Sequence, residues 1–173
     1  NLTVDGGWTS TSSGAYCYYD NDAGNGDTYG ALYNWYAVDD SRDIAPEGWH
    51  VPTDDDWKEL EMYLGMSQSE ADDTSERGTN EGSKLAGNAA LWDEGTLEND
   101  SEFGTSGFTA LPGGYRYHSS GSYGYMGNFG WFWSATSEGS GFAWHRRLNC
   151  EWSNVYRSYD FKRNGFSVRL VRD

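Results

Sequence analysis

The sequence predicts an α+β domain in which two helices precede a small twisted antiparallel sheet, with long loops between them. Patterns with helical spacing lie in the first 65 residues, and short apolar runs separated by turn residues follow residue 107. This order of elements is typical of the α+β class. The 173 residues fit a single domain, 1–173, and because aromatic residues make up 17% of them, we expect rings to fill the core.

The first predicted helix covers Tyr29 to Val38. Its apolar face consists of Leu32, Trp35 and Tyr36, which have the i, i+3, i+4 spacing of one helix face. The residues before it are rich in Gly, Asn and Asp, so we expect a polar loop at the N-terminus.

The second predicted helix begins after Pro52. Thr53 is a suitable N-cap, and the three acids Asp54 to Asp56 suit the positive end of the helix dipole. Gly65 is expected to end the helix.

The rest of the chain divides into a loop region and a strand region. Residues 67–106 are acidic and small, with apolar residues too widely spaced to define an element, so we expect mostly loop there. After residue 107 the apolar runs predict five strands, at 108–111, 130–135, 142–148, 155–159 and 166–171.

Charge and hydropathy exclude two classes of partner. With 27 acids, 12 bases and a net charge of −15, the chain lacks the clustered cations that a nucleic-acid interface needs. No stretch approaches the ~20 apolar residues of a membrane span, so membrane insertion is not expected. Because the chain begins at Asn1 rather than Met, we expect it to be excised from a longer protein.

The cysteines and acidic clusters leave two alternatives open. Cys17 and Cys150 can form one bridge in an oxidising compartment or remain free. A run of hard oxygen ligands suits Ca²⁺, but its spacing is not that of an EF-hand and Asx-turns explain it without an ion, so we expect no cofactor. The run comprises Asp20, Asn21, Asp22, Asn25 and Asp27.

Five motifs in a fixed order carry a family resemblance. They resemble the Fibrobacter succinogenes major paralogous domain over nearly the whole chain. The motifs are YGALYNWYAV at 29–38, GWHVPTDDDWKEL at 48–60, GFTALPGGYR at 107–116, FWSAT at 132–136 and GFSVRLVRD at 165–173.

The resemblance implies a C-type-lectin-like fold, shared by formylglycine-generating enzymes and by the variable proteins of diversity-generating retroelements. In those variable proteins, exposed positions before the last strand change to alter the ligand, and this region corresponds here to 137–163. The enzymes rely on a cysteine pair late in the chain, whereas Cys150 has no nearby partner. We therefore expect no enzymatic activity.

Period-two alternation over 143–149 selects the first candidate ligand-binding residues, and rings and polar residues elsewhere in the variable region extend the set. It places His145, Arg147 and Asn149 on the face opposite Trp144, Arg146 and Leu148. The mixture of rings with amides, hydroxyls and a guanidinium is typical of paratopes, although a solvated sheet face with buried rings has a similar composition. The complete set is Phe142, His145, Arg147, Asn149, Glu151, Trp152, Asn154, Tyr156, Ser158 and Tyr159.

These observations predict an extracellular recognition domain, displayed on a cell surface or a virion, that binds a protein or a glycan on a cell surface. The resemblance adds the hypothesis of a retroelement-diversified adhesin or receptor-binding module. Three alternatives remain open: a carbohydrate-binding module, a copper-dependent or other oxidative enzyme, and a purely structural role in a fibre or envelope.

Overall fold

A six-stranded mixed sheet is the largest element of the protein. A computed structural model describes residues 5–173. The described strands are β1 Tyr16–Cys17, β2 Leu32–Tyr33, β3 Trp49–His50, β4 Ser75–Arg77, β5 Gly113–Arg116, β6 Tyr123–Met126, β7 Phe129–Glu138, β8 Phe142–Asn149, β9 Trp152–Phe161 and β10 Val171–Arg172. The large sheet has the order β4-β9-β8-β7-β5-β6, while β1 pairs with β2 and β3 pairs with β10. Among the described strands, only β5 and β7 pair in parallel, at Gly114 and Gly130.

Seven α-helices lie within residues 5–173, and all but one have seven residues or fewer. They are α1 Asp5–Ser10, α2 Ala23–Tyr29, α3 Trp35–Val38, α4 Asp54–Tyr63, α5 Gln68–Asp72, α6 Glu81–Leu85 and α7 Thr96–Asn99. Isolated helices this short are unstable in water, so their caps and the packing around them must hold them.

The start of α4 is the local structure that the sequence predicts best. The Thr53 hydroxyl accepts a hydrogen bond from the Asp56 N–H, and the Asp56 carboxylate accepts one from the Thr53 N–H. This reciprocal capping box satisfies two backbone donors at the helix end. The predicted helix after Pro52 is confirmed.

Each face of the large sheet packs against its own aromatic core. One face carries Phe132 and Leu148, which pack with Trp57 of α4. The other face carries Trp131 and Trp133, which pack with Trp35, Phe166 and neighbouring rings. The expectation that rings fill the interior therefore holds for two clusters on opposite sides of one sheet rather than for a single core.

A buried ion network joins α4 to the sheet. Arg146 of β8 donates to Asp54 and Glu61 at 2.7 and 2.6 Å, and Arg157 of β9 donates to Asp54 at 2.7 Å. Arg77 of β4 donates to Glu61 at 2.9 Å. Because these charged groups are buried, each depends on the others for its partners.

The predicted fold class is wrong. The sequence and its family resemblance predict a C-type-lectin-like fold with two helices and a small antiparallel sheet, whereas residues 5–173 form seven α-helices and a six-stranded sheet that is mixed because of β5 and β7. Both differences come from short elements outside the predicted helices and strands, including β4 at 75–77, β5 at 113–116 and β6 at 123–126.

The helix predicted over 29–38 is interrupted near its start. Gly30 adopts φ +82°, a conformation that L side chains rarely adopt, and it ends α2 at Tyr29. The chain then forms β2 before α3 begins at Trp35. The region 67–106, predicted to be mostly loop, contains α5, β4, α6 and α7.

Three of the five predicted strands form as expected and two do not. The runs at 130–135, 142–148 and 155–159 lie within β7, β8 and β9. Residues 108–111 form only an isolated bridge from Ala110 to Ala86. In the run 166–171, only Val171 belongs to a strand, while Phe166 and Ser167 form isolated bridges.

Candidate functional site

Four of the predicted binding residues meet on one face of the large sheet, in the middle of β8 and β9. His145 pairs with Ser158 across the two strands, and Arg147 pairs with Tyr156. Side chains opposite each other in an antiparallel pair share a face. All four line a cavity of about 220 Å³, which we call the sheet cavity. Four of the ten predicted binding residues therefore share one face and one cavity.

The remaining walls of the sheet cavity come mostly from distant segments. They are Tyr115, Tyr117, Trp131, Tyr159, Asp160, Asn164 and Phe166. Asp160 could have been found from the sequence, since it continues the period-two series of Tyr156 and Ser158 along β9. Tyr115 could not, because it approaches the cavity through the unpredicted parallel pairing of β5 with β7.

Arg147 is held firmly in the cavity wall. Its Nη2 donates to the Glu76 carboxylate at 2.7 Å. The guanidinium carbon lies 3.9 Å from the centre of the Tyr156 ring and 5.2 Å from that of Phe129. Stacking together with an ion pair restricts the side chain, so we expect the wall to keep its shape when a ligand binds.

His145 lies beneath the cavity rather than at its surface, which corrects the expectation of a solvent-facing ligand contact. Its side chain is 3% exposed, and its ring centre lies 5.2 Å from that of Phe166. Nδ1 has no hydrogen-bond partner among residues 5–173. Burial lowers the pKa of His145 to about 3, so the imidazole is neutral at physiological pH.

The buried imidazole predicts an acid-sensitive fold. The folded-state pKa of about 3 lies below the ordinary value of 6.5, so between these pH values His145 binds a proton in the unfolded chain but not in the folded chain. The contribution of His145 to stability is therefore complete above pH 6.5 and is lost at about 1.4 kcal/mol per pH unit as the pH falls toward 3. Urea unfolding across this range should show a steeper decline for the native chain than for His145→Gln. Equal slopes would contradict the assignment.

Asp160 supplies the carboxyl group of the cavity. Its Oδ1 accepts a hydrogen bond from the Phe161 N–H at 2.7 Å. Burial raises the pKa of Asp160, although this bond, the His118 charge and a hydrogen bond with Asn164 oppose the rise. The carboxyl is thus partly desolvated and ready to accept hydrogen bonds from a bound group.

Four hydroxyl groups lie around Asp160 in the sheet cavity. Within residues 5–173, the side-chain hydroxyls of Tyr115, Tyr117, Tyr156 and Ser158 form no hydrogen bond to another residue. Each hydroxyl can both donate and accept. These four hydroxyls are therefore available to hydrogen-bond a ligand.

Phe142 and Tyr159 lie on the opposite face of the strands from His145. The register pairs Phe142 with Phe161 and Trp144 with Tyr159. The Phe142 ring centre is 5.8 Å from that of Tyr159 and 4.7 Å from that of Phe161. These rings form an exposed aromatic edge, which the cavity meets only at Tyr159.

The last four predicted residues occupy the β8–β9 hairpin tip. Asn149 accepts a hydrogen bond from the Glu151 N–H at 3.0 Å, and the Trp152 side chain is 52% exposed. Glu151, Trp152 and Asn154 line an open groove of about 510 Å³, which is separate from the sheet cavity. The other groove residues are Thr79, Asn80, Thr96, Asp100 and Ser153.

Two glycines bring helices against this hairpin tip. A Cβ on Gly82 of α6 would overlap the carbonyl oxygen of Asn154, and one on Gly95, just before α7, would overlap that of Cys150. Only glycine permits such close backbone contact. These backbone contacts therefore hold the hairpin tip against α6 and the start of α7.

The acidic run near the N-terminus is organised by internal hydrogen bonds. Asp22 caps α2 by accepting from the Gly24 N–H at 2.8 Å, and the Asn25 amide donates to the Tyr19 carbonyl at 3.1 Å. Asn21 accepts from the Tyr123 hydroxyl at 2.9 Å. In the described part of the chain, no three His, Cys, Asp or Glu side chains are grouped to hold a metal ion.

The two cysteines are free and belong to different clusters. Cys17 packs with Trp8 and Leu32, whereas Cys150 packs with Leu97 and Leu148. Both are buried, and burial raises the pKa of the Cys150 thiol. The alternative of a bridge between them is not realised in this structure.

Comparisons with known proteins identify the family of this chain. None of the helices within residues 5–173 is long and apolar enough to span a membrane. Comparison with curated proteins and with solved structures gives no match in either set. The model of the Fibrobacter succinogenes major domain matches residues 3–172, nearly the whole chain. The chain therefore belongs to the Fibrobacter succinogenes major domain family.

Proposed function

We propose that this chain is a non-enzymatic extracellular recognition domain that takes part of its target into the sheet cavity. The observation that carries the proposal is the convergence of Arg147, Tyr156, Ser158 and Asp160 on one cavity, where the hydroxyls of Tyr115, Tyr117, Tyr156 and Ser158 form no hydrogen bond to another residue of the described range 5–173. A concave site with a few convergent polar groups is typical of ligand-binding pockets.

The support beneath the cavity favours tight recognition. Its floor and one wall are strands of the large sheet, and Arg147 is stacked on Tyr156 and paired with Glu76. Groups that are already ordered lose little conformational entropy when a ligand binds. Rings and hydroxyls in this mixture are also typical of binding surfaces.

The chemistry of the cavity supports recognition over catalysis. Ser158 is its one aliphatic hydroxyl, and no base accepts a hydrogen bond from it. His145 is the cross-strand neighbour of Ser158 but forms no side-chain hydrogen bond with it among residues 5–173, and burial lowers the pKa of His145 to about 3, which makes its imidazole a weak base. A serine without an adjacent base is a weak nucleophile.

A paired variant tests the proposal. Arg147→Ala with Tyr156→Ala removes one wall of the cavity, and Arg42→Ala with Tyr63→Ala removes the same residue types from exposed positions outside it, where the side chains are 82% and 86% exposed. We expect arrays of cell-surface protein ectodomains and glycans to yield a target that the cavity variant binds at least about tenfold more weakly. The control should bind it normally.

Circular dichroism in the aromatic region would verify that both variants remain folded. A target that binds both variants equally well would contradict the proposal, as would an absence of binding on both arrays.

A further inference from the structure

We propose that the sheet cavity binds one neutral polyhydroxylated ring, a single saccharide unit, through Tyr115, Tyr156, Ser158 and Asp160. This inference rests on the proposed function and narrows its ligand to a chemical class. The evidence lies in the charge of the cavity, in the packing of its rings, in its size, and in its hydrogen-bonding groups.

The charges at the cavity disfavour an anionic ligand. Arg147 is its one cation, and Glu76 already neutralises it at 2.7 Å. Asp160 would repel a carboxylate or a phosphate, and the whole chain carries a net charge of −15. In a partly desolvated site such repulsion is weakly screened.

The packing of the rings disfavours an ammonium ligand. A cation needs an open ring face, but Arg147 already covers one face of Tyr156 at 3.9 Å. Trp131 lies among Phe166, Phe129 and Tyr115, with ring centres 6.0, 4.9 and 4.7 Å away.

The size of the cavity limits the ligand to about one ring. At about 220 Å³ it is smaller than the ~300–1,000 Å³ typical of sites for drug-sized ligands. A longer glycan would therefore place one unit inside and the rest over the surrounding surface, where Tyr117 and Tyr159 are 39% and 48% exposed.

The hydrogen-bonding groups of the cavity match those of a saccharide. A sugar hydroxyl both donates and accepts, as do the hydroxyls of Tyr115, Tyr156 and Ser158. The Asp160 carboxylate can accept from hydroxyl groups, and bonds to a charged acceptor are the stronger kind. Several such bonds to one ring would engage the hydroxyls that form no hydrogen bond to another residue within 5–173.

Isothermal titration of the intact chain with defined probes tests the inference. The neutral probes are methyl glycosides of hexoses, pentoses and N-acetylhexosamines. Glucuronate and sialic acid serve as acidic probes, and choline and lysine methyl ester as cationic ones. We expect at least one neutral glycoside to bind and the charged probes not to bind.

Single-group variants place the ligand in the cavity. Tyr156→Phe and Ser158→Ala each remove one hydroxyl and should weaken binding about three- to tenfold, whereas Asp160→Asn removes a charged acceptor and should weaken it more than about tenfold. Tyr63→Phe removes the same hydroxyl from an exposed helix position and should leave affinity unchanged.

Two results would overturn the inference. One is the absence of binding by every neutral glycoside, and the other is binding that none of the three cavity variants weakens. If an acidic or cationic probe alone binds and Tyr156→Phe weakens it, the saccharide assignment fails while the proposed recognition function stands. If the ectodomain and glycan arrays are also blank, both fail.

Discussion

Replacing Glu61 with Gln is expected to destabilise the fold by about 3–5 kcal/mol. Glu61 is fully buried, and its carboxylate accepts hydrogen bonds from Arg77 at 2.9 Å and from Arg146 at 2.6 Å. The amide keeps the shape of the side chain but removes the charge, which leaves two buried guanidinium groups short of a counter-ion. Uncompensated buried charge is among the most destabilising changes in a protein.

Urea unfolding of Glu61→Gln beside Glu59→Gln would measure this effect. Glu59 lies on the same helix but is exposed, so its amide variant should differ from the native chain by less than about 0.5 kcal/mol. A Glu61→Gln chain as stable as this control would show that the ion network contributes little to the link between α4 and the sheet.

Replacing Trp133 with Ala is expected to cost about 3–5 kcal/mol by opening a large void. Trp133 is completely buried in the aromatic core of the cavity face, with its ring centre 4.2 Å from that of Phe166. Its Nε1 donates to the Tyr33 carbonyl at 2.8 Å, which ties the sheet to β2. The substitution removes both the packing and the bond.

Trp152→Ala is the matched control, because that ring is 52% exposed at the hairpin tip. It should cost less than about 1 kcal/mol of unfolding free energy in the same urea titration. Since Phe166 also lines the sheet cavity, Trp133→Ala should disturb the cavity floor as well. Comparable losses in the two variants would refute the role of Trp133 as the centre of this core.

The sequence predicted correctly the elements that are determined by residues close together in the chain. The Thr53 cap and the acids after it fix the start of α4, and the apolar runs between turn residues indicate β8 and β9. The candidate set contains Arg147, Tyr156 and Ser158, which the structure places on one face.

Short elements, and contacts between distant segments, escaped prediction. The helix α5 has only five residues and one buried apolar side chain, Ala71, so its apolar pattern is too short to recognise, although Ser67 and Glu70 form a local capping box at its start. Tyr115 and Asn164 reach the cavity through long-range pairing and chain return, which no local pattern encodes. Alternation predicts which face of the sheet a side chain lies on but not whether it is exposed, since His145 lies on the cavity face and is buried.

The close backbone contacts at Gly82 and Gly95 should tolerate substitutions in the hairpin but not insertions or deletions. Outward side chains such as Trp152 can be exchanged, since the contacts involve only main-chain atoms of Asn154 and Cys150. Inserting or deleting a residue would move those main-chain atoms into the helices. Homologues should therefore differ in the identity of hairpin residues while keeping the number of residues between the two strands constant.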